Sequence, residues 1–327
     1  MSKPPMDHRN TAPPSLAIIG DVAVDLVLGP VDGWPAIGTE TIMRRSELRA
    51  GGSGGNTALA MRHLGAPCRL LSQVGADTFG GWLAGEFSGI DAQLGVAQAA
   101  TTVSTGVIHT CGERTFFTTR GHLEEQSWAQ IRPLVGAAPT PGSIALLTGA
   151  FLLPKMRDAY GQVIDDLAEL GYQIAIDTGW PPEGWTPAIR AATLGWLSRC
   201  DHILLNEIEV TGLAETDDLD TALRRLTPLL RPEAVLVAKT GAKGAVAHYG
   251  GARFAAAAPQ VEVFDTIGAG DSFNAGYLAA RLSGLGIQDA LAGGCRAASA
   301  IINHFPRRAI APGQLADLVA PAHAGRN

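Results

Sequence analysis

Short apolar runs alternate with amphipathic stretches along most of the chain. The runs predict buried strands that end in small or polar residues, within LAIIGDVAVDLVL (16–28), CRLLSQVG, SIALLTGA, YQIAIDTG, HILLNEIE and AVLVAKTG. Helical patterns such as MRDAYGQVIDDLAELG and DLDTALRRLTPLL lie between several of them. This alternation predicts an α/β fold, in which a mostly parallel sheet has helices on both faces and binds ligands at the carboxyl ends of its strands.

Two stretches interrupt the alternation. GTETIMRRSELRA (38–50) and TTVSTGVIHTCGERTFFTTRG (101–121) are rich in Thr, Val, Ile and Phe with turn residues inside, which favours antiparallel strands. We therefore predict a small β-sheet lid built from segments at about residues 33–50 and 101–121. No repeat or Pro-rich linker divides the chain, so we expect one domain over residues 15–327, preceded by a disordered tail over residues 1–14.

Composition narrows the class of function. The chain has 327 residues, 46% of them hydrophobic and 17% charged, which is enough for the core of one large globular domain. A formal charge of −6 argues against nucleic acid or an anionic membrane as the main partner. The four cysteines form no CxxC pair, and the first residues lack the apolar core of a signal peptide. We expect a cytoplasmic protein that acts on small molecules.

The stretch DTIGAGDSFNAG (265–276) places Asp271 at the mouth of an apolar helix. The first N–H groups of a helix have no partner within it, and with the helix dipole they form an anion site. The small residues of GAG leave those amides open to a phosphate. Taken alone, the pattern leaves a second interpretation open, in which Asp271 only caps or favours the helix start.

Two other motifs shift the balance between these interpretations. GGSGGN (51–56) lies near the start of the chain, and NEIE (206–209) precedes the GAGD stretch. In this order the three motifs resemble those of the ribokinase-like, or PfkB-type, carbohydrate kinases, and the resemblance extends from Leu16 to beyond Asn303. It implies a three-layer α/β/α fold with a β-sheet lid. It also implies an ATP-dependent kinase that transfers the γ-phosphoryl group to a hydroxyl of a sugar or nucleoside, and we expect a small sugar.

The resemblance assigns the chemistry to the GAGD stretch. Asp271 becomes the general base that accepts the proton of the acceptor hydroxyl. Gly268, Ala269 and Gly270 become an anion hole for the transferring phosphoryl group, as an oxyanion hole serves acyl transfer. The carboxylate would thus accept a proton beside an anion site, with a metal ion offsetting the repulsion.

The acceptor site implied by the resemblance combines polar side chains with paired glycines. Besides Asp271, it consists of Asp25, Gly52, Ser53 and Asn56. Carboxylate and amide groups bind hydroxyls in fixed directions, and glycines let a sugar approach the backbone. From the residues alone, Asn56 could equally cap the helix that follows. Ser53 stands where ribokinase has lysine, and Ala23 where it has a polar residue that contacts the sugar, which puts ribose in doubt as the acceptor.

The resemblance also implies a nucleotide-binding site, formed by residues that follow later strands. The resemblance makes Asn206 and Glu209 organise Mg²⁺ through its water, although the spacing N-x-x-E is also typical of a helix capping box. The implied ATP-binding residues are Asn206, Lys239, Thr240, Gly241, Gly244, Gly268, Gly270 and Cys295. In some relatives the loop matching Asp265 and Thr266 helps to bind a monovalent cation, which adds K⁺ to the implied ATP and Mg²⁺.

Other functions compete with a kinase. GGSGG satisfies G-x-S-x-G, the nucleophile elbow of α/β-hydrolases with Ser53 as nucleophile, but no HGGG stretch accompanies it. The Walker and G-x-G-x-x-G fingerprints are absent from the sequence. A sugar-sensing pseudokinase would need a damaged base or anion loop, whereas Asp271, Gly268 and Gly270 are all present.

The choice of acceptor stays open at this point. The lid segments carry Arg44, Arg45, Arg114, Arg120 and Phe116, and the arginines could meet an anionic acceptor or lie in solvent. A glycine turn without lysine favours an uncharged sugar, followed by a nucleoside and then by a sugar acid or sugar phosphate. The apolar strand faces of the lid, and the pairing of lids in several relatives, predict a homodimer through the lid.

Overall fold

The computed structural model describes residue 13 and residues 15–319, so the predicted tail over residues 1–14 lies almost wholly outside the described residues. The strands found there are β1 (Leu16–Ile19), β2 (Ala23–Val31), β3 (Arg45–Gly51), β4 (Cys68–Gly75), β5 (Asp91–Ala97), β6 (Val103–His109), β7 (Arg114–Thr118), β8 (Ile144–Thr148), β9 (Gln173–Asp177), β10 (His202–Asn206), β11 (Val235–Lys239), β12 (Ala245–Tyr249) and β13 (Ala252–Ala256). The α-helices are α1 (Ser53–His63), α2 (Thr78–Glu86), α3 (Trp128–Val135), α4 (Pro154–Asp158), α5 (Tyr160–Glu169), α6 (Pro187–Leu197), α7 (Glu207–Ala214), α8 (Leu219–Leu226), α9 (Ala269–Leu282) and α10 (Ile287–Ile302).

The main sheet has nine strands in the order β13-β12-β11-β10-β9-β8-β1-β4-β5. The strands from β11 to β5 run parallel, and β12 and β13 add an antiparallel hairpin at one edge. The prediction of a mostly parallel sheet is therefore confirmed. The sequence pattern misses β5, β12 and β13, because these strands near the sheet edges carry exposed or small residues instead of continuous apolar runs.

The helices cover both faces of this sheet. In β1, Ala17 and Ile19 belong to one buried cluster, and Leu16 and Ile18 belong to another. The first cluster includes residues of α3 to α8, and the second includes residues of α1, α2, α9 and α10. Burial on both faces explains why the central strands are continuously apolar. The predicted three-layer α/β/α arrangement is confirmed.

Close packing of α9 against α10 fixes the direction of the helix that carries Asp271. A Cβ atom on Gly276 would lie 2.6 Å from the Cβ atom of Ala297 and 2.7 Å from the carbonyl oxygen of Gly293. Only glycine fits at this crossing, because any other residue would push the two helices apart.

A separate sheet forms the predicted lid, with four strands in the order β3-β2-β6-β7. Here the structure corrects the predicted boundaries. The segments 33–50 and 101–121 contain β3, β6 and β7 but omit β2, and residues 33–44 contain no strand. The chain leaves the main sheet at Gly20 and continues into the lid at Ala23, so the apolar run 16–28 serves two sheets. None of the helices within residues 15–319 is both long enough and apolar enough to cross a bilayer.

Candidate active site

A cavity of about 650 Å³ lies where the lid meets the carboxyl ends of the main strands. Asp21, Gly149 and Thr178 follow β1, β8 and β9 at its wall, and the lid contributes Ser104, Phe116 and Thr118. Six of the predicted site residues line this cavity together, although they are widely separated in the sequence: Asp25, Gly52, Ser53, Asn56, Gly268 and Asp271. The arrangement thus brings the predicted acceptor residues and the predicted base into one space.

The N-terminus of α9 opens towards this cavity. Gly268 caps the helix in a left-handed conformation, with φ of 73°, which glycine adopts without strain. Across residues 15–319, no protein acceptor is found for the N–H groups of Gly268 and Gly270, so both are available to an anion. The N–H of Ala269 instead donates to the carbonyl oxygen of Thr266 at 3.1 Å. The N–H of Ala269 is therefore not free for the predicted anion hole, which stays a prediction for the amides of Gly268 and Gly270.

Asp271 lies half-buried in the first turn of α9. The side-chain amide of Asn56 donates to Asp271 Oδ2 at 3.0 Å, which orients the carboxylate. Burial raises the pKa of Asp271 well above its usual range, nearby Asp177 raises it further, and Lys239 opposes both. A raised pKa makes the carboxylate a stronger base. Asn56 does not cap α1, because that helix already begins at Ser53.

A buried polar network lies behind the loop 268–270. Lys239 Nζ donates to Asp177 Oδ2 at 2.6 Å and to Asn274 Oδ1 at 3.2 Å, and Asn274 Nδ2 donates to Asp177 Oδ2 at 2.5 Å. A Cβ atom on Gly270 would lie 3.3 Å from Lys239 Nζ, so the ammonium group stands directly behind the loop. Sequence reasoning missed Asp177 and Asn274. Asp177 had a signal, since it ends the predicted strand YQIAID.

Two aspartates, Asp21 and Asp25, line the cavity near the predicted acceptor residues. Asp25, on β2, is only 5% exposed, and burial raises its pKa to about 7, against the attraction of Arg49. A Cβ atom on Gly51 would lie 2.1 Å from Asp25 Oδ2, so glycine is needed there. Asp21, which the sequence analysis did not single out, accepts hydrogen bonds from the N–H of Ser53 at 3.0 Å and of Gly54 at 3.5 Å. Asp21 therefore caps the start of α1 and lines the cavity.

The hydrolase interpretation of Ser53 finds no support in this geometry. Ser53 lines the cavity at the start of α1. Among the described residues that line the cavity there is no histidine to act as its base. Ser53 instead offers a hydroxyl to a ligand.

The N-x-x-E motif forms a capping box at the start of α7. Asn206 Oδ1 accepts from the N–H of Glu209, and Glu209 Oε2 accepts from the N–H of Asn206, both at 2.9 Å. Glu209 is buried, and burial together with Asp177 raises its pKa to about 7. Within residues 15–319, no cluster of three or more His, Cys, Asp or Glu side chains could hold a metal ion.

The remaining predicted nucleotide residues lie outside the acceptor cavity. Thr240, Gly241 and Gly244 form a tight turn after β11, in which the N–H of Thr240 donates to the carbonyl oxygen of Gly244 at 2.8 Å. Cys295 is buried on α10, its thiol donates to the carbonyl oxygen of Ala256 at 3.7 Å, and burial raises its pKa to about 11. Contact of these residues with ATP stays a prediction.

Two arginine side chains form ion pairs with Asp265. Arg49 donates to both carboxylate oxygens of Asp265 at 3.2 Å, and Arg307 Nη2 donates to Oδ1 at 2.7 Å. Although burial opposes it, these guanidinium groups hold the pKa of Asp265 below its usual value. Thr266 accepts a hydrogen bond from Arg114. The loop predicted to bind a monovalent cation is therefore already bound by arginines.

The lid arginines differ in their surroundings. Arg44 is exposed, and Arg120 is exposed beside Glu124 at 3.4 Å, so both lie in solvent. Arg45 donates to the carbonyl oxygen of Phe264 at 2.8 Å, and Arg114 lines the cavity.

Aromatic side chains from two directions contribute to the apolar part of the cavity wall. Phe116 comes from lid strand β7, and Trp180 comes from the loop after β9, where it packs edge-on against Trp185. Both Phe116 and Trp180 keep nearly half of their surface exposed. A ligand in the cavity can therefore cover them.

Comparisons with known proteins agree with this geometry. The family model described as pfkB family carbohydrate kinase matches residues 14–310. The chain is 25% identical to 2-dehydro-3-deoxygalactonokinase of Haloferax volcanii over 271 residues, 78% of this chain and 82% of that protein. It is 28% identical to fructokinase of Klebsiella pneumoniae over 255 residues, 74% of this chain and 80% of that protein.

Among solved structures, the fold is similar to that of adenosine kinase from Sinorhizobium meliloti. The TM-score is 0.78 at 22% identity, over 94% of this chain and 99% of that chain. This structural similarity shows the fold, while the family model shows the class of enzyme. The similar proteins are phosphotransferases. The chain belongs to the pfkB family of carbohydrate kinases.

Proposed function

We propose that the protein transfers the γ-phosphoryl group of ATP to a hydroxyl of a small, uncharged sugar. The observation that carries the proposal is the position of Asp271. Its carboxylate stands beside the free amides of Gly268 and Gly270 and shares one cavity with Asp25, Ser53 and Asn56. A proton acceptor, an anion site and hydroxyl-binding groups therefore lie within reach of one ligand.

The chemistry follows from these roles. The oxygen of the acceptor hydroxyl forms a bond to the γ-phosphorus, the bond to the leaving oxygen of ADP breaks, and the hydroxyl proton passes to Asp271. The hydrogen bond from Asn56 keeps the carboxylate of Asp271 aimed at the acceptor. The amides of Gly268 and Gly270 stabilise the charge on the transferring group, and Lys239 adds positive potential behind them.

The metal is proposed as Mg²⁺ that accompanies ATP. When bound, it supplies charge neutralisation at the phosphates. Asn206 and Glu209 would order the water around it, and Glu209 keeps a buried carboxylate for this role besides its capping bond. The residues Lys239, Thr240, Gly241, Gly244 and Cys295 are proposed to line the nucleotide site.

Charge around the cavity supports an uncharged acceptor. Asp21 and Asp25 both face the space, so a carboxylate or phosphate on the sugar would meet two negative side chains. Arg114, the lid arginine that lines the cavity, is bonded to Thr266. Sugar acids and sugar phosphates therefore rank below neutral sugars.

A nucleoside is the second candidate acceptor. Phe116 and Trp180 offer half-exposed aromatic faces in the cavity, and a planar base could stack on one of them. The ribose of such an acceptor would then meet Asp25 and Asn56.

A homodimer through the lid is also part of the proposal, as is a cytoplasmic location. Large apolar side chains stand exposed on or beside the lid sheet: Trp34, Ile37, Ile42, Leu48 and Phe117. A second lid would remove them from water.

A screen of ATP consumption over neutral sugars, nucleosides and sugar acids tests the proposal, with Asp271→Asn as the matched control. We expect turnover with at least one neutral sugar, lost in the control. Turnover with nucleosides alone would favour the second candidate, and no turnover with any acceptor would refute the kinase proposal.

A further inference from the structure

Four arginines converge on the short segment 264–267, which leads into the anion hole. Three belong to the lid: Arg45 donates to Phe264 O, Arg49 to the carboxylate of Asp265, and Arg114 to the hydroxyl of Thr266. The fourth, Arg307, follows α10 and donates to the backbone oxygens of Asp265 and Ile267. We call the group Arg45, Arg49, Arg114 and Arg307 the arginine clamp.

The hydrogen bonds donated by Arg307 set the direction in which the N–H of Gly268 points. Carbonyl and N–H groups of a trans peptide point in opposite directions. Because Arg307 Nη1 holds the oxygen of Ile267, the N–H of Gly268 in the same peptide points away from Arg307. That N–H is one of the two free amides of the anion hole. A change in the Arg307 contact would therefore turn this donor.

The clamp is also tied to the acceptor side. Arg49 on β3 lies opposite Asp25 on β2 in the antiparallel register, and Glu47 of the same strand accepts from Arg49 at 3.2 Å and from the N–H of Arg307 at 3.0 Å. Val27 and Ile108 of the lid pack against Ile267. The lid sheet and the loop before the anion hole are thus joined by both charged and apolar contacts.

Burial suggests that this network serves more than stability. Arg49, Glu47, Asp265 and Arg307 are all less than 9% exposed. Buried ion pairs contribute little net stability, because the loss of hydration offsets their attraction, and apolar residues can often replace them without loss. A chain that keeps four such groups beside its anion hole gains orientation of the loop.

We propose that Arg49 and Arg307 are positioning residues that couple the lid to the anion hole, so that a lid placed over the acceptor aims the Gly268 amide at the transferring phosphoryl group. The kinetic part of the proposal rests on the proposed function. Neither arginine lines the acceptor cavity, so both act through the segment 264–267.

Conservative replacements test the clamp, because lysine keeps the charge but cannot form the same set of bonds. The variants are Arg307→Lys and Arg49→Lys, and the matched control is Arg308→Lys, an exposed neighbour of Arg307. Two quantities are measured: amide hydrogen exchange over residues 266–271, and kcat and KM with the best neutral sugar. If one variant does not fold, the other carries the comparison.

We expect faster exchange in both variants and a loss in kcat of about a hundredfold, the scale of a misaligned catalytic group, with acceptor KM nearly unchanged. The control should match the wild type. Unchanged exchange would overturn the clamp itself, and faster exchange with unchanged kcat would overturn its role in positioning. A wild type that phosphorylates no acceptor would refute the proposed function instead, and the exchange comparison would still decide whether the clamp exists.

Discussion

Replacing Asp25 by asparagine should make the protein more stable and less active, and the stability gain should depend on pH. Burial raises the pKa of Asp25 from 3.8 to about 7. A carboxyl group whose pKa is raised by folding favours the folded state in its protonated form. The wild type therefore loses stability as the pH rises from about 4 to about 7, above which the loss is constant.

The size of the effect follows from the shift. At 1.36 kcal/mol for each pKa unit, the ionised Asp25 carboxylate destabilises the folded state by about 4 kcal/mol at pH 8 and by about 2 kcal/mol at pH 5. Asparagine does not titrate, so the difference in unfolding free energy between Asp25→Asn and the wild type should grow by about 2 to 3 kcal/mol from pH 5 to pH 8. Contributions of other groups are common to both proteins and cancel to first approximation.

Urea denaturation at pH 5 and pH 8 measures this difference, with Asp32→Asn as a control on an exposed aspartate beside the lid. The control is compared with the wild type at the same two pH values. The same Asp25 variant should lose about tenfold to 150-fold in kcat/KM for the acceptor, since a hydrogen bond to a charged group is worth about 1.5–3 kcal/mol. A stability difference that changes by less than about 1 kcal/mol between the two pH values would refute the reasoning about burial.

Four further predictions concern catalysis, metal, monovalent cations and assembly. Asp271→Asn should keep its fold and ATP affinity while kcat falls about a hundredfold or more, as measured by coupled turnover and calorimetry, and near-normal turnover would reduce Asp271 to a helix cap. Glu209→Gln should raise the Mg²⁺ concentration that gives half-maximal rate, and an identical metal titration would remove Glu209 from the metal site. Activity should be the same in K⁺ and Na⁺ at equal ionic strength, because Arg49 and Arg307 already bind Asp265, and a rate that requires K⁺ would contradict this. Light scattering should give the mass of a dimer, about twice the 34.0 kDa of the chain, and a monomer at working concentration would exclude pairing through the lid.

The parts of the site that could be predicted from sequence were those with a recognisable local sequence pattern. Asp271 follows small residues at a helix start, and Asn206 and Glu209 have the spacing of one helical turn, so their neighbours in sequence gave their positions. Central strands such as β1 were predictable because burial on both faces makes them continuously apolar.

The parts that could not be predicted depend on contacts between distant segments. The partners of Lys239 are Asp177 and Asn274, separated from it by 62 and 35 residues, and no spacing rule connects them. Arg307 lies 42 residues beyond Asp265 and follows a helix in a stretch that has no motif. The boundary of the lid was wrong for a related reason, because β2 continues an apolar run that begins in the other sheet.

Within residues 15–319, α1 and α9 both begin at the cavity, and α9 keeps free amides there. Asp21 Oδ1 accepts hydrogen bonds from the N–H groups of Ser53 and Gly54 at the start of α1, so these amides are not open to an anion. The two ends of the cavity therefore differ, with free N–H groups at Gly268 and, above about pH 7, an ionised carboxylate at Asp25. An anionic acceptor would be repelled by the ionised Asp25, whereas a neutral acceptor would not. Turnover of anionic acceptors relative to neutral ones should therefore fall as the pH rises through about 7.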